Sequence, residues 1–456
     1  MKEVLFRLPE AAAQVIGRLN AQGYEAYAVG GCVRDTLLGR EPKDWDICTS
    51  AEPAEVERAF SDMPSSRIVE TGLQHGTVTV VVDHVPYEVT TYRADGVYTD
   101  HRHPDSVRFV RSLKEDLARR DFTINAMAYH PEEGLKDFFG GREDLEARVI
   151  RCVGAAEKRF DEDALRILRA LRFASVYAFN IEEETDRAIR LLYETLSHVA
   201  SERIWQEVQK LLCGQGVREI LMGYPEVICS IFPELEASVG FLQHNPYHHF
   251  TVYEHRARSV AEVPPETVLR LTMLFHDAGK PKAFTVDERG IGHAYGHAEI
   301  SVKLVASAME RMRVDNRTRD RVLVLVRDHD LPLEENEKML RRRLAAYGEE
   351  TLMQLMEVQR ADALSKGTFD REHVERAHAL RLQKLQELVA QHPCVTLRDL
   401  AVNGRDLIDH GIPAGKTVGN VLTALLDRVI AGDLPNEREA LLKTASQLTC
   451  KGEKNT

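Results

Sequence analysis

The spacing of hydrophobic and polar positions changes about a third of the way along the chain. Up to about residue 140, short alternating runs stand between short helical patterns; beyond it, leucines recur at helical spacing in one segment after another. Alternation is typical of half-buried strands, and a period of 3.6 residues is typical of amphipathic helices. The pattern therefore predicts an α+β chain, in which a small unit with a mostly antiparallel sheet precedes an elongated all-helical region.

Three runs define the predicted sheet. YEAYAVGG (residues 24–31) predicts a short strand that ends in two glycines before a helix, and DWDICTS (44–50) predicts a second strand. GTVTVVVDHVPYEVTTYR (76–93) predicts two further strands joined by a tight connection at Asp83 and His84. Breaks in the pattern near residues 140, 240 and 365 then divide the chain. We expect a head at 1–140, a neck at 141–240, a body at 241–365 and a tail at 366–456.

Composition narrows the class of protein. With 456 residues, 43% of them hydrophobic and 29% charged, the chain is an ordinary soluble protein with room for several domains. No segment approaches the roughly 18 consecutive apolar residues of a membrane span. The seven scattered cysteines form no Cys-x-x-Cys pair, which favours the reducing cytoplasm. The net charge of −12 argues mildly against a nucleic-acid ligand, but basic clusters such as residues 311–321 leave room for a local binding face.

A pair of carboxylates is the first candidate for chemistry. Asp44 and Asp46 are separated by one residue in a predicted strand, so both side chains point to the same face. A shared divalent cation relieves the repulsion between two such charges, and Mg²⁺ prefers carboxylate and phosphate oxygens. Glu88, on another predicted strand, supplies a possible third carboxylate. The arrangement suits a two-metal site for phosphoryl or nucleotidyl transfer, although a solvent-facing Asp-x-Asp pair is common in proteins without such a role.

A glycine turn strengthens the functional interpretation of this pair. Gly30 and Gly31 precede a predicted helix, where bare backbone N–H groups at the helix N-terminus can hold a triphosphate. Arg34 lies one turn into that helix, in a position to contact a phosphate. We therefore expect catalytic carboxylates beside a nucleotide-binding turn.

The segment that carries both features, VGGCVRDTLLGREPKDWDI (residues 29–47), resembles the head motif of the class II tRNA nucleotidyltransferase and bacterial poly(A) polymerase family, within the polymerase β superfamily. YRADGVYTDHRHPDSVRF (92–109) resembles the flexible loop of that family, with His103 where a second arginine is expected. Residues 406–442 resemble its tail. The resemblance implies a polymerase β-like head followed by a helical neck, body and tail.

A motif at the end of the head, RRDFTINAMA (residues 119–128), is similar to the family motif that joins head and neck. The resemblance implies that Arg120 contacts the nucleotide phosphates. It implies that Asp121 and Asn125 hold the metal-bearing strand and the neck in register. Helix capping and buried hydrogen bonding are the structural alternative for those two residues.

The neck motif EDALRILRALRF (residues 162–173) also resembles the family. Asp163 and Arg166 lie three positions apart, and on a helix they share a face. A fixed carboxylate and guanidinium can select cytosine and adenine by their Watson–Crick edges without a template. Arg169 and Arg172 continue the same face and are expected to reach phosphates. The alternative is a salt bridge on an exposed helix.

A second constellation, in the predicted body, combines histidines and aspartates, which suit borderline or hard divalent metals. The pattern resembles the HD phosphohydrolase superfamily. The resemblance implies a ligand set for Mn, Ni, Co or Mg, formed by His255, His276, Asp277 and Asp330. It also implies that His297 and His329 assist the binding of a second metal or a phosphate.

Three functions compete on these observations. The first is template-independent addition of CCA to the tRNA acceptor end from CTP and ATP, with Mg²⁺ as cofactor and no stable protein partner. The second is a partial form of that chemistry, which is A addition, CC addition or poly(A) synthesis. The third belongs to another class: an HD metal-dependent phosphohydrolase, with the head as a degenerate RNA-binding module.

Overall fold

The chain forms two compact units, Met1–Pro233 with Arg311–Arg313, and Glu234–Glu310 with Val314–Thr456. In this computed structural model the described residues are 6–63, 66–69, 72–73, 76–96, 107–246, 249–333, 336–368 and 370–452. The predicted boundaries near 140 and 365 fall inside the two units and stay predictions.

The first unit holds the predicted sheet. Its helices are α1 (Glu10–Ala21), α2 (Gly31–Leu37), α3 (Pro53–Phe60), α4 (Leu113–Ala118), α5 (Gly141–Ala147), α6 (Ala156–Glu162), α7 (Leu165–Tyr177), α8 (Glu183–Leu192), α9 (Ser201–Leu212), α10 (Val217–Gly223) and α11 (Pro225–Ile231). Its strands are β1 (Ala26–Val29), β2 (Ile47–Thr49), β3 (Ser66–Val69), β4 (Thr77–Val82), β5 (Val85–Thr91), β6 (Arg93–Asp95), β7 (Val107–Phe109), β8 (Met127–His130), β9 (Gly134–Asp137), β10 (Val149–Ile150) and β11 (Asn180–Ile181).

The central sheet has the strand order β3-β4-β5-β2-β1-β8-β9. Every neighbouring pair in it is antiparallel except β2 and β5, which run parallel. In β4, buried valines alternate with half-buried residues, as a sheet with one covered face requires. Asp83 and His84 both have positive φ, which closes β4 and β5 as a two-residue hairpin. The mostly antiparallel sheet and the tight connection are thus confirmed.

The second unit is built from helices around a separate core. The helices are α12 (Val252–Glu262), α13 (Thr267–Phe275), α14 (Lys280–Ala283), α15 (His297–Arg311), α16 (Asn316–Arg327), α17 (Glu337–Ser365), α18 (Arg371–Ala390), α19 (Gly404–Asp409), α20 (Lys416–Ile430) and α21 (Arg438–Gly452). Helices α12, α13, α16 and α17 pack on one another. Within the described part of the chain, every helix falls short of the length and apolar character that a bilayer crossing requires.

The helical part of the chain also contains a hairpin that the sequence pattern does not predict. Strands β12 (Thr285–Val286) and β13 (Gly292–His293) pair in antiparallel fashion. The side chain of Asp287 accepts hydrogen bonds from the backbone N–H groups of Arg289 and Ile291, which closes the turn. Two residues per strand are too few for alternation to be visible in a sequence. The α+β class is nevertheless confirmed, with the sheet in the first unit and helices dominating the rest.

Candidate functional site

The glycine turn after β1 brings the start of α2 against Arg120. Gly30 has φ +79°, and its N–H donates to the carbonyl of Met127 at 3.1 Å. Its carbonyl accepts the N–H of Arg34 as the first bond of α2. A Cβ at this position would lie 2.9 Å from Nη1 of Arg120. The positive φ therefore favours glycine here, and the guanidinium of Arg120 lies directly against the turn.

The carboxylates lie at the entrance to β2 rather than within it, which corrects the predicted strand at 44–50. Asp44 and Asp46 precede the first residue of β2, Ile47, which pairs with Val89 on β5. The parallel register thus aligns Asp46 with Glu88. Because Ile47 and Val89 are buried, alternation turns Asp46 and Glu88 to the opposite face, where both are exposed. The start of β2 thus brings Asp46 and Glu88 to one face, and the charge of the exposed Asp44 acts on Asp46.

The charges at this face interact. Desolvation by the surrounding protein raises the pKa of Asp46 although its side chain is accessible, and the charge of Glu88 raises it further. Arg120 opposes these effects, and Asp44 adds to them. A carboxylate crowded by two others is stabilised by a cation, and oxygen donors of this type are those that Mg²⁺ prefers. The donor set therefore fits a magnesium ion.

Arg34, which we expected to contact a phosphate, has partners within the protein. Its guanidinium donates to Oδ1 of Asn125 and, at 2.9 Å, to Oδ1 of Asp35. The same group lies 5.1 Å from the ring centres of both Phe173 and Tyr177. The side chain is buried. In this position Arg34 connects α2 to α7 through its contacts with the two rings, and connects α2 to Asn125 through a hydrogen bond.

Asp121 occupies the centre of the same junction. Its Oδ1 accepts from Nδ2 of Asn125 at 3.0 Å, and its Oδ2 accepts from Nε and Nη2 of Arg169 at 2.8 and 2.6 Å. Burial alone would raise the pKa of Asp121, but the charge of Arg169 and these hydrogen bonds hold it well below its usual range. The ion pair thus joins the end of the head to α7.

Arg172 continues this network instead of standing free. It forms an ion pair with the buried Glu207 of α9, and its guanidinium stacks 3.7 Å from the ring centre of Phe173. Burial lowers the pKa of Arg172 in spite of that carboxylate. Arg169 and Arg172, which we expected to reach phosphates, are therefore both engaged by carboxylates of the protein.

Asp163 and Arg166 do not share one helix, contrary to the prediction from their spacing. Asp163 has an extended backbone (φ −144°, ψ 103°) that ends α6, and its Oδ1 accepts from the N–H of Leu165 at the start of α7. Its Oδ2 lies 3.2 Å from Nη2 of Arg203. Arg166 donates to Oε2 of Glu162 at 2.7 Å. A local capping bond thus breaks the helix between the two residues, a preference that aspartate often shows.

The predicted flexible loop can be followed only at its base. Strands β6 and β7 pair in antiparallel fashion, with Arg93 opposite Phe109. Residues 97–106, and with them His103, lie outside the described residues.

The second site is a group of four residues from α12, the end of α13 and α17 in the second unit. The ligand atoms of His255, His276, Asp277 and Asp362 all lie within 4.8 Å of one another. Nε2 of His255 is 3.2 Å from Nε2 of His276 and 3.0 Å from Oδ1 of Asp362. Asp362 is the member that sequence reasoning missed. Asp362 lies in the helical run VQRADALSK and has no neighbouring histidine. The single signal in the sequence was an acidic residue at an inward position of the helix that forms α17.

A second group adjoins the first through Asp277. Its Oδ2 faces His276 at 3.3 Å, whereas its Oδ1 faces Nε2 of His297 at 3.2 Å and Nε2 of His329 at 3.7 Å. Asp330, predicted as a ligand of the first group, instead lies against the second, 3.1 Å from His329. Its side chain is 59% exposed, so it stands at the rim of the cluster.

The four histidines have the same orientation. Each presents Nδ1 to a backbone carbonyl, which can only accept, so Nδ1 carries the hydrogen and Nε2 turns its lone pair inward. The pairs and distances are His255 with Ser365 (3.2 Å), His276 with Met273 (2.8 Å), His297 with Ala294 (2.8 Å) and His329 with Val326 (2.7 Å). Two lone pairs 3.2 Å apart cannot bond to each other, so each pair of Nε2 atoms shares either a proton or a metal ion. The donor set and its orientation fit a divalent metal.

The charges of this cluster support its carboxylates as ligands. Burial would raise the pKa of Asp277, but His276 and its other cationic neighbours hold it well below the usual range. Burial lowers the pKa of His255. Burial would also lower the pKa of His329, yet hydrogen bonds to Asp277 and Asp330 raise it to about 10. Asp277 is thus ionised at neutral pH, with either protonated histidines or metal ions as its counter-charge.

A glycine positions these elements. A Cβ at Gly279 would lie 2.3 Å from the carbonyl of His297, and the N–H of Gly279 donates to Oγ of Ser301. The turn after Asp277 therefore packs directly on the first turn of α15. Lys280, the next residue, lies 2.7 Å from Oδ2 of Asp277.

Three family models match the chain. The "Poly A polymerase head domain" matches residues 26–151, and the "Probable RNA and SrmB- binding site of polymerase A" matches residues 178–237. The second domain of tRNA nucleotidyltransferase matches residues 295–445. The first match contains the Gly30 turn and the three exposed carboxylates.

Known proteins are similar over the whole length. The CCA-adding enzyme of Enterococcus faecalis is 36% identical over 448 residues, 97% of this chain and 97% of that protein. The CCA-adding enzyme of Geobacillus kaustophilus is 35% identical over 449 residues, 98% of each. A crystal structure of the Bacillus stearothermophilus CCA-adding enzyme in complex with CTP has a TM-score of 0.73 at 32% identity, covering 99% of this chain and 100% of that one. The Thermotoga maritima CCA-adding enzyme, at 22% identity and a TM-score of 0.60, shares the fold.

Proposed function

We propose that this chain, which belongs to the family of CCA-adding enzymes, adds CCA to the 3′ end of tRNA from CTP and ATP and releases pyrophosphate. The observation that carries the proposal is the alignment of Asp46 with Glu88 beside the Gly30 turn, in a chain similar to CCA-adding enzymes over its whole length. Those relatives are named for the same reaction. Asp44, Asp46 and Glu88 are exposed and therefore accessible to a substrate.

Asp44, Asp46 and Glu88 would hold Mg²⁺ in this proposal. When bound, the cation neutralises charge on the phosphates and lowers the pKa of the attacking hydroxyl, in a two-metal arrangement if two ions bind. The backbone N–H groups at Gly30 and Gly31 orient the triphosphate at the start of α2. Arg120, which lies against Gly30, would contact those phosphates.

Selection of cytosine and adenine is assigned to Asp163 and Arg166 in this proposal. Both have partners in the protein, Arg203 and Glu162, which a nucleobase would have to replace or share. Arg34, Arg169 and Arg172 are then positioning residues, because their guanidinium groups connect the head to α7 and α9.

One experiment tests the reaction and its alternatives. Purified protein is incubated with Mg²⁺, labelled CTP or ATP, and tRNA that lacks CCA, CA or only A. Restoration of all three ends supports CCA addition. Incorporation of C alone or of A alone would instead assign a partial activity, and A-tails on unrelated RNA would assign poly(A) synthesis. Absence of any incorporation would reject nucleotidyl transfer.

A second activity is favoured by the buried histidine and aspartate cluster. We propose that His255, His276, Asp277 and Asp362 hold one divalent metal, among Mn, Ni, Co and Mg. Asp277, His297 and His329, with Asp330 at the rim, would hold a second. Such metals polarise a phosphoryl oxygen and generate hydroxide from water at neutral pH. The activity is a phosphatase or phosphodiesterase that removes terminal phosphates or opens 2′,3′-cyclic phosphates.

Metal supplementation tests this second activity. Apo-protein is prepared with a chelator, each of the four metals is added singly, and hydrolysis of phosphomonoesters and cyclic phosphodiesters is measured. His276→Ala and Asp277→Ala are expected to abolish hydrolysis, while CTP incorporation persists in both. Hydrolysis that is unchanged in both variants would remove the proposal.

We further propose the cytoplasm as the compartment. Cys32, Cys48 and Cys152 are buried free thiols. Such thiols are stable in a reducing environment. The tRNA acceptor end, CTP and ATP are the proposed partners.

A further inference from the structure

A buried carboxylate lies between two arginines near the end of the sheet unit. Asp116, in α4, is fully buried. Its Oδ1 accepts from Nε and Nη2 of Arg119 at 3.0 and 2.8 Å, and its Oδ2 accepts from Nη2 of Arg120 at 3.4 Å. A buried carboxylate needs a counter-charge, and one arginine is sufficient for that purpose. The second arginine therefore leaves an excess positive charge at this place.

The excess charge faces the glycine turn. A Cβ at Gly30 would lie 2.9 Å from Nη1 of Arg120 and 4.0 Å from its Cζ. The same guanidinium acts on the exposed carboxylates, because burial and Glu88 raise the pKa of Asp46 whereas the charge of Arg120 lowers it. Arg120 is thus close to the turn proposed for the triphosphate and within electrostatic reach of a proposed Mg²⁺ ligand.

The two ion pairs of Asp116 differ in length. The bond of 2.8 Å to Arg119 has the usual length of a charge-assisted hydrogen bond, whereas 3.4 Å to Arg120 is longer than usual. The tight pair fixes the carboxylate, and the looser pair holds one end of the second guanidinium. A guanidinium has five N–H donors, so contact through Nη2 leaves Nη1 of Arg120 for a phosphate.

Backbone contacts fix the same carboxylate relative to the sheet. Oδ1 of Asp116 accepts the N–H of Arg93, the first residue of β6, at 3.2 Å. The preceding residue, Tyr92, donates its N–H to the carbonyl of Thr49 at 2.7 Å, and Thr49 is the last residue of β2. Strand β2 begins directly after Asp46. The carboxylate that holds Arg120 is therefore attached to the strand that follows the metal-binding aspartates.

We infer that Asp116 is a positioning residue for nucleotide binding, which holds Arg120 against the Gly30 turn in a fixed relation to β2. The inference rests on the proposed nucleotidyl transfer for the identity of the ligand, a nucleoside triphosphate. Asp116 itself has no contact with the substrate in this arrangement and acts through Arg120.

The first test measures steady-state incorporation by Asp116→Asn in the full chain. Asparagine keeps an acceptor oxygen for Arg93 and Arg119 but presents an uncharged amide to Arg120. The KM for CTP and for ATP should each rise about tenfold, the scale of one lost hydrogen bond to a charged group. The inhibition constant of pyrophosphate should rise by a similar factor, because pyrophosphate occupies the same phosphate site. The KM for tRNA should be unchanged.

A double-mutant cycle separates positioning from a general structural role. Arg120→Gln removes the group through which Asp116 acts, and kcat/KM for CTP is measured for each single variant and for the pair. If Asp116 acts through Arg120, adding Asp116→Asn to Arg120→Gln should change kcat/KM by less than about twofold. Independent effects would instead multiply, so that the pair loses about another tenfold.

Two further variants control for folding. Asp144 is also a buried carboxylate of the first unit, but its partners are Thr123 and Arg151. Asp144→Asn should lower thermal stability and leave the CTP KM unchanged. If circular dichroism shows that Asp116→Asn does not fold, the cycle is run with Asp116→Glu, which keeps the buried charge and displaces it by one methylene. Its effect on CTP should likewise disappear in the Arg120→Gln background.

An unchanged CTP KM in the folded Asp116 variant would overturn the inference, as would multiplicative effects in the cycle or an equal rise of the tRNA KM. Absence of incorporation by the wild type would reject nucleotidyl transfer. Calorimetric titration with CTP and Mg²⁺ would then compare the affinities of wild type and Asp116→Asn. Equal affinities, or no binding by the wild type, would overturn the inference as well.

Discussion

The two candidate sites differ in how the protein treats charge. At the entrance to β2, Asp44, Asp46 and Glu88 stand exposed on the face of a sheet, and the protein supplies little to neutralise them. In the second unit, His276 and Asp277 are buried, and the carboxylate of Asp277 has His276 and Lys280 close by. An exposed carboxylate site depends on incoming metal and triphosphate for its balance, whereas a buried cluster requires compensation to fold at all.

This difference predicts that the two sites fail separately, and the largest effect is expected at the exposed one. Asp46→Asn should reduce CTP incorporation into tRNA by at least about 100-fold, because one of the carboxylates that would hold Mg²⁺ is lost. Phosphate-ester hydrolysis should be unchanged. The reciprocal variant, Asp277→Asn, should lose hydrolysis and keep incorporation.

Both reactions are measured on the same preparations, with circular dichroism to verify the fold. Loss of both reactions in either variant would show that the sites do not act independently.

The next largest effect is expected on the metal content of the buried cluster, and it tests whether Asp362 or Asp330 is the fourth ligand. Asp362→Asn should remove about one metal equivalent per chain, because Oδ1 of Asp362 lies 3.0 Å from Nε2 of His255. Asp330→Asn, a change of the same size at the exposed rim, should lower metal content much less.

Metal content is measured by plasma mass spectrometry after dialysis against each metal. An equal loss in the two variants, or a larger loss in Asp330→Asn, would contradict the ligand set that includes Asp362.

A moderate effect is expected at the ion pair between Asp121 and Arg169, which joins the end of the head to α7. Asp121→Asn breaks the ion pair with Arg169 and should lower the free energy of unfolding by about 2–3 kcal/mol, below the usual range of 3–5 for a fully buried pair. The discount is made because the Arg169 side chain is 33% exposed.

The pH dependence of this effect has a defined sign. Because the folded pKa of Asp121 is depressed, its contribution is fully present above the unfolded pKa of about 4 and is lost as pH falls further. Urea unfolding between pH 3 and 7 should therefore show the difference between wild type and variant narrowing as pH falls. Asp62→Asn, at an exposed ion pair, is the control and should show little change. A constant difference at all pH values would contradict the assigned role.

The two sites also differ in how well the sequence predicts them. The head site lies largely in one contiguous motif, so the turn at Gly30 and the carboxylates could be named from the sequence, and family membership and fold class are confirmed. The partners of Arg169 and Arg172 could not be predicted from the sequence. Whether Arg169 contacts a phosphate or Asp121 depends on how α7 packs against the head. In the body, Asp362 was missed because tertiary packing alone brings α17 to His255. Asp163 shows the local limit: a capping bond to Leu165 breaks the helix that its spacing predicted.

The smallest effect is expected at Tyr177, where α7 contacts Asp35 and Arg34 of α2. The hydroxyl of Tyr177 donates to Oδ1 of Asp35 at 2.9 Å, while its ring stacks near the guanidinium of Arg34. Tyr177→Phe removes only the hydrogen bond and should lower the free energy of unfolding by about 1 kcal/mol. Tyr177→Leu also removes the ring and should cost more. Urea unfolding at pH 7 distinguishes them, and CTP incorporation should follow the same order. Equal losses in the two variants would show that the hydrogen bond, and not the aromatic stack, holds Arg34 in place.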